Sequence, residues 1–166
     1  MENVAAVLML WYPGEAGGSA LADVLFGDFS PAGRLPVTFP RSLDDVPPFD
    51  DYAMAGRTYR YMQAEPLLPF GFGLSYTRFE YGGLKLAAAE VRAGDELALS
   101  VDVRNVGPGP ADEVVQLYLK DEDAPAPAPL RRLVGFRRVT LRPGEKRTLR
   151  FTLPAREMAR FDERGR

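Results

Sequence analysis

A strand–helix pattern occupies residues 4–40, VAAVLMLWYPGEAGGSALADVLFGDFSPAGRLPVTFP. Its first part, Val4–Leu10, is almost wholly apolar, which predicts a strand buried on both faces, as in a parallel sheet covered by helices. A helix is predicted next, because apolar residues recur at helical spacing from Leu21 to Leu25. Ser19 is its predicted N-cap, and Gly27 suits the left-handed conformation that often ends a helix.

One strand–helix unit cannot form a sheet alone, because a parallel strand needs hydrogen-bonding neighbours on both sides. After a turn, the chain continues as an extended segment, Leu35–Phe39, between two prolines. We therefore interpret residues 1–40 as the C-terminal unit of an α/β sandwich domain whose earlier strands are absent.

Residues 41–77 are predicted to form an ordered connecting arm. The first half is rich in Pro and Asp, and its aromatic residues favour packing against a surface over a free linker. Gly71-x-Gly73 in PLLPFGFGLSY lacks the third glycine, the flanking strand and helix, and the Lys of a phosphate loop. These glycines instead indicate a close-packed corner between domains.

Residues 78–166 are predicted to form an antiparallel sandwich of the fibronectin-III or immunoglobulin type, because short strands alternate with turns. Arg142–Glu145 is a predicted turn, and Met158–Phe161 is predicted to begin a further strand. Seven strands need about 100 residues, so the sandwich is expected to lack its last strands and to self-associate through unpaired edges. The five predicted complete strands are Phe79–Leu86, Glu96–Val103, Glu113–Lys120, Leu133–Leu141 and Arg147–Leu153.

Three segments closely resemble glycoside hydrolase family 3 enzymes of the β-glucosidase type. Residues 11–40, WYPGEAGGSALADVLFGDFSPAGRLPVTFP, resemble the end of that family's α/β sandwich domain. Residues 56–81, GRTYRYMQAEPLLPFGFGLSYTRFEY, resemble the connection into its fibronectin-III-like domain. Residues 130–153, LRRLVGFRRVTLRPGEKRTLRFTL, are similar to the middle of that domain.

The resemblance implies a parent enzyme that hydrolyses β-glycosides with retention and without a cofactor. It also implies an Asp nucleophile on an N-terminal barrel and a Glu acid/base upstream in the α/β domain. Neither motif has a matching position here, so no catalytic, substrate-binding or metal residue is predicted. The expected partners are the missing barrel and α/β domains, and the glycoside substrate only in their presence.

Acidic residues within the chain offer weak alternatives for catalysis. Glu15 follows the predicted strand, where α/β folds place ligands, but a carboxylate near a helix start is the simpler interpretation. Asp44-Asp45 and Asp50-Asp51 flank prolines and are expected to be solvated turn residues. Residues 121–123, Asp-Glu-Asp, lack the spaced oxygen ligands of a calcium loop.

Aromatic residues could line a sugar site. Trp11 could stack on a sugar ring, although burial between sheet and helix is favoured. Tyr59, Arg60 and Tyr61 could contact substrate or form an aromatic–Arg clamp between domains, and the clamp is favoured.

Composition excludes several classes of function. The chain has no Cys and no His, which rules out a thiol nucleophile, a disulfide framework and a Ser-His-Asp triad within it. Residues 131–166 are basic, but the arginines alternate with apolar residues as outward strand positions do, so no nucleic-acid partner is predicted. No apolar run is long enough to cross a bilayer or has the flanks of a signal peptide, and the compartment stays open.

Two functional hypotheses follow. The chain is either the scaffold-forming C-terminal portion of a β-glucosidase-type enzyme, inactive alone, or a non-catalytic module that binds carbohydrate or protein through its β-sandwich.

Overall fold

The computed structural model describes residues 4–125 and 127–160. Three helices and a short 3₁₀ helix accompany five strands in this part of the chain. In chain order the elements are α1 (Gly17–Phe26), the 3₁₀ helix Leu43–Asp45, α2 (Thr58–Tyr61), β1 (Phe79–Leu86), β2 (Leu97–Asn105), β3 (Ala111–Leu119), β4 (Arg132–Leu141), β5 (Lys146–Leu153) and α3 (Ala155–Met158). None of the described helices is long and apolar enough to span a membrane.

The five strands form two antiparallel sheets that face each other. One sheet has the order β1-β2-β5, and the other pairs β3 with β4. On β5 every second residue from Leu149 to Leu153 is buried, the period expected when one face of a strand covers a core. The buried core cluster consists of Leu99, Val103, Val115, Val139, Leu141, Leu149 and Phe151.

The predicted strands of the sandwich are confirmed, with ends that shift by no more than two residues. The strand predicted to begin at Met158 is wrong in its described part, because Ala155–Met158 is helical. Pro154 is the N-cap of this helical turn, with φ −64°, and its carbonyl accepts a hydrogen bond from the Glu157 N–H. The chain therefore enters a helical turn immediately after β5. Phe161, the end of that prediction, lies outside the described residues.

The predicted strand Val4–Leu10 is also wrong: this segment is exposed and belongs to no sheet. The reason is the absence of partners, since no second parallel strand exists among the described residues to complete its hydrogen bonds. An apolar run indicates that a segment favours burial. It becomes a β-strand only when neighbouring strands provide hydrogen-bond partners.

Helix α1 confirms the predicted helix but begins earlier than Ser19. Its N-cap is Ala16, which makes no side-chain capping bond. A turn closed by Gly17 N–H to Gly14 O, 3.0 Å, leads directly into the helix. A Cβ at Gly17 would lie 2.5 Å from Pro13 Cβ, so glycine permits this early start. At the other end Gly27 has φ 86°, the predicted left-handed residue.

Asn105 connects the end of β2 to three other parts of the sandwich and is completely buried. Its Oδ1 accepts bonds from Thr77 Oγ1 at 2.7 Å and from the Gly107 N–H at 3.0 Å. Its Nδ2 donates to the carbonyls of Gly109, at 2.8 Å, and Leu141, at 3.0 Å. The amide therefore satisfies four buried or half-buried groups at once.

We expect Asn105→Ala to lower the free energy of unfolding by roughly 2–4 kcal/mol, because it leaves several of these groups without a hydrogen-bond partner. Urea denaturation followed by circular dichroism measures this loss. The matched control is Thr140→Val, which removes a hydrogen bond to Asp112 at an exposed position and should change stability by about 0.5 kcal/mol or less. Equal effects of the two substitutions would contradict the role given to Asn105.

Candidate functional site

The candidate site is the arm–sandwich joint, formed where residues 34–39 and 57–73 pack against β1, β3 and β4. Residues 34–39, which end the predicted α/β unit, pair with residues 68–72 of the arm through backbone bonds. Leu35 donates to Phe72 O and accepts from the Gly71 N–H, both at 2.8 Å, and Phe39 donates to Leu68 O at 2.9 Å. This pairing joins the end of residues 1–40 to the arm, with an isolated antiparallel bridge between Phe39 and Leu68.

A buried ion pair fixes one end of the joint. Arg34 Nη2 lies 2.5 Å from Glu113 Oε2, and the two side chains are only 13% and 8% exposed. Tyr81 donates its phenol proton to the other carboxylate oxygen of Glu113 at 2.5 Å. Burial, followed by the hydrogen bond to Glu113, raises the pKa of Tyr81, so its phenol remains a donor at neutral pH. One carboxylate therefore joins the end of residues 1–40, β3 and β1.

Gly71 brings the arm backbone directly onto β3. Its φ is 81°, and a Cβ there would clash with Gln116 Oε1 and lie 2.6 Å from the Tyr118 hydroxyl. Gln116 donates from Nε2 to Gly71 O at 3.0 Å, and it accepts the Tyr118 hydroxyl proton at 2.5 Å. The predicted close-packed corner at Gly71-x-Gly73 is confirmed at Gly71.

Tyr59 provides the aromatic part of the joint. Its ring stacks on Phe70 with 4.2 Å between centroids and meets Tyr118 edge-on at 6.1 Å. Its hydroxyl accepts a hydrogen bond from the Leu133 N–H at 2.9 Å. Arg60 accepts from the Leu130 N–H through its carbonyl at 2.6 Å, and its guanidinium lies over the Tyr61 ring at 5.6 Å. The favoured interpretation, an aromatic–Arg clamp, matches this geometry.

The acidic candidates near the N-terminal half do not converge on a site. Glu15 is exposed in the turn before α1. Asp44 and Asp45 lie in the 3₁₀ helix, where Asp45 completes a capping box with Ser42. Asp50 is exposed, and Asp51 accepts the Ala53 N–H at 2.8 Å, as a turn residue does.

Asp121 and Glu122 are engaged in surface ion pairs. Asp121 receives Arg160 Nε and Nη2 at 2.8 and 2.7 Å, and this hydrogen bonding lowers the Asp121 pKa. Glu122 lies 2.7 Å from Lys120 Nζ. In the described part of the chain no three acidic, His or Cys side chains gather as metal ligands would.

Trp11 is 49% exposed, so the favoured burial between sheet and helix is wrong for this chain. The reason is the same as for residues 4–10: the sheet that would cover it is not formed by the described residues.

Sequence reasoning missed Arg34 and Glu113, the charged centre of the joint. A signal for Glu113 was available, because in EVVQLYLK it occupies the same strand face as Val115 and Leu117. A carboxylate on a core-facing position requires a partner. Nothing local in the sequence identifies Arg34 as that partner, since 79 positions separate the two residues.

Comparison with known proteins connects this architecture to a family. Residues 1–76 match the model of the glycosyl hydrolase family 3 C-terminal domain, and residues 113–166 match the fibronectin type III-like domain. The chain belongs to glycoside hydrolase family 3. It corresponds to the C-terminal part of the family 3 β-glucosidases and β-xylosidases that it matches.

Individual relatives agree with this assignment. A β-xylosidase of Formosa agariphila is 43% identical over 92% of this chain, and a β-glucosidase of Rhizobium radiobacter is 42% identical over all of it. In both cases the chain spans 22% of the relative's length. A solved β-glucosidase structure from Erythrobacter marinus superposes on 94% of this chain with a TM-score of 0.81 and 40% identity, covering 21% of that protein.

The close contact at Gly71 predicts that adding a methyl group there lowers stability more than adding one at an open glycine. Gly71→Ala should lower the free energy of unfolding by about 3 kcal/mol, through left-handed strain plus displacement of Gln116 and Tyr118. Gly94→Ala is the matched control: Gly94 has φ 96° with open space around it, so only the strain of about 1 kcal/mol is expected. Chemical denaturation measures both variants, and equal losses would show that the contact at Gly71 contributes nothing.

Proposed function

We propose that this family 3 chain is a scaffold that holds the α/β part of a β-glycosidase against a fibronectin-III-like sandwich. It takes no part in bond cleavage. In this proposal residues 1–40 complete the α/β domain, residues 41–77 connect, and residues 78–166 form the sandwich. The parent enzyme hydrolyses β-linked glycosides with retention, using carboxylates outside this chain and no cofactor.

The arm–sandwich joint is the observation that carries the proposal. The ion pair, the contact at Gly71 and the stacked Tyr59 ring each join one segment of the protein to another. Retaining glycoside hydrolysis needs two carboxyl groups about 5–5.5 Å apart, one of them protonated in a shielded pocket. Glu113, the buried carboxylate of the joint, is held by Arg34 and Tyr81, which suits it for structure instead of proton transfer.

Exposed apolar side chains in α1 and in the arm support a partner for these segments. Phe26 on α1 is 85% exposed, and Phe49 and Tyr52 in the arm are 95% and 88% exposed. Large exposed apolar side chains are common on surfaces that bind a partner. In the proposal, the barrel and the remaining α/β strands of the enzyme cover them.

The isolated chain should not hydrolyse aryl β-glucosides or aryl β-xylosides above a boiled control. When it replaces the matching region of the Rhizobium radiobacter β-glucosidase, the chimera should hydrolyse the aryl β-glucoside. The same relative truncated before that region should be inactive, because its α/β domain would lack the segment that corresponds to residues 1–40.

The joint can be tested within the same chimera. The chimera carrying Gly71→Ala should lose activity on mild heating before the chimera carrying Gly94→Ala. Turnover by the isolated chain would refute the scaffold role directly. A folded but inactive chimera would refute the assignment of residues 1–77 to the support of the active domains.

A further inference from the structure

Arg57 organises residues 48–57 of the arm into a closed loop, which we call the arm loop. Its Nη2 donates to the carbonyls of Pro48, at 2.7 Å, and Asp51. Its Nε donates to Ala53 O at 3.0 Å. A guanidinium carries several donors in a rigid plane, so it can satisfy carbonyls in different parts of a loop at once. One side chain therefore ties the start and the middle of the loop to its end.

Hydrogen bonds between neighbouring residues complete the arm loop. The Asp51 N–H donates to Pro48 O at 3.1 Å, and the Arg57 N–H donates to Met54 O at 3.0 Å. The Asp51 side chain accepts the Ala53 N–H at 2.8 Å. The backbone of the loop therefore has a defined conformation before any partner binds, which lowers the entropy cost of binding.

The arm loop exposes its two aromatic rings. Phe49 and Tyr52 are almost fully exposed, so the hydrogen bonds of the loop do not serve to bury them. Rigid aromatic side chains provide a large contact area at low entropy cost, and they are frequent among the residues that dominate binding energy. A fixed backbone with two exposed rings is the arrangement expected of a preformed binding element.

A left-handed residue connects the arm loop to the joint. Thr58 has φ 56°, which is uncommon for a β-branched residue. It separates Arg57, whose guanidinium bonds within the loop, from Tyr59, whose ring stacks on Phe70 with 4.2 Å between centroids. A strained backbone of this kind persists only where the surrounding structure fixes it. Consecutive residues thus fix the loop and the joint, so the loop has a defined orientation relative to the sandwich.

The arm loop is acidic between its two rings. Asp50 and Asp51 lie between Phe49 and Tyr52 in the sequence. Within the described part of the chain neither carboxylate forms a salt bridge. Groups of opposite charge commonly face each other across an interface, around a less polar centre. The surface that fits this loop is therefore an apolar pocket with Lys or Arg at its edge.

We propose that the arm loop docks on the catalytic part of the family 3 enzyme, with Phe49 and Tyr52 as anchors and Arg57 as the positioning residue that presents them. This inference rests on the scaffold role proposed above. The chain spans 22% of the length of two relatives compared above, so most of their length is available as a docking surface. The arm also lies between residues 1–40, which belong to the α/β domain in that proposal, and the sandwich. A docking surface on the same polypeptide is therefore adjacent along the chain.

The test compares the chimera described above with the isolated chain. The double variant Phe49→Ala/Tyr52→Ala should speed unfolding of the heated chimera by about tenfold or more, because two anchors of an interface are lost. In the isolated 166-residue chain the thermal midpoint should stay within about 1 °C, because the rings contact solvent there. Intrinsic fluorescence follows unfolding in both proteins and does not require activity.

Arg57→Gln tests the positioning role. In the isolated chain it should speed amide hydrogen exchange at Asp51 and Ala53 by about tenfold or more, because the loop opens more readily. In the chimera it should also speed unfolding. Added to Phe49→Ala/Tyr52→Ala, it should change the rate by less than about twofold, because Arg57 acts through those rings. Fully additive effects would overturn the role given to Arg57.

Phe136→Ala is the matched control, because Phe136 is also exposed but lies on β4 in the sandwich. It should leave the unfolding rate of the chimera unchanged. Equal effects of this variant and the double variant would overturn the docking role, as would an equal loss of stability in the isolated chain. A dimer of the isolated chain that Phe49→Ala/Tyr52→Ala abolishes would overturn the choice of partner. An inactive chimera counts against the scaffold role, whereas the unfolding rates test the arm loop alone.

Discussion

The arm–sandwich joint depends on one buried carboxylate, that of Glu113. It lies on β3 with 6% exposure, in a position that an apolar residue would fill in an ordinary sandwich. A charge taken out of water is stable only with a close, well-oriented partner. Arg34 supplies the opposite charge from the end of residues 1–40, just before the arm, and Tyr81 supplies a hydrogen bond from β1. The need to satisfy this carboxylate therefore fixes where the arm meets the sandwich.

Other contacts follow from that placement. With Arg34 held at β3, Leu35 pairs with Gly71 and Phe72, which brings the Gly71 backbone against Gln116. This close packing of the Gly71 backbone on β3 also places the Tyr59 ring in contact with Phe70 and Tyr118. A rigid connection of this kind fits the scaffold role that we propose, because it holds the α/β segment in one orientation relative to the sandwich.

Local pattern predicted most of the fold, the glycine corner and the aromatic–Arg clamp, but not the ion pair at the centre of the joint. Alternation of apolar residues placed the five strands, because a half-buried strand carries its burial in its own sequence. Val4–Leu10 failed because strand formation also depends on neighbours, and Ser19 failed because backbone packing at Pro13 and Gly17 started α1 earlier. The family resemblance covered residues 11–40, 56–81 and 130–153 but not β3, and no local pattern predicts that Arg34 reaches Glu113. Such long-range pairs are set by topology.

A double-mutant cycle on Arg34→Met and Glu113→Gln tests this account most directly, with the free energy of unfolding as the readout. Each single variant should lose about 3–5 kcal/mol, because it leaves a buried charged or polar group without its partner. The double variant should lose clearly less than their sum, giving a coupling energy of about 2 kcal/mol or more. The same cycle on the exposed pair Lys120 and Glu122 should give below about 1 kcal/mol. Additive losses at Arg34 and Glu113, within about 0.5 kcal/mol, would contradict the claim that their pairing fixes the joint.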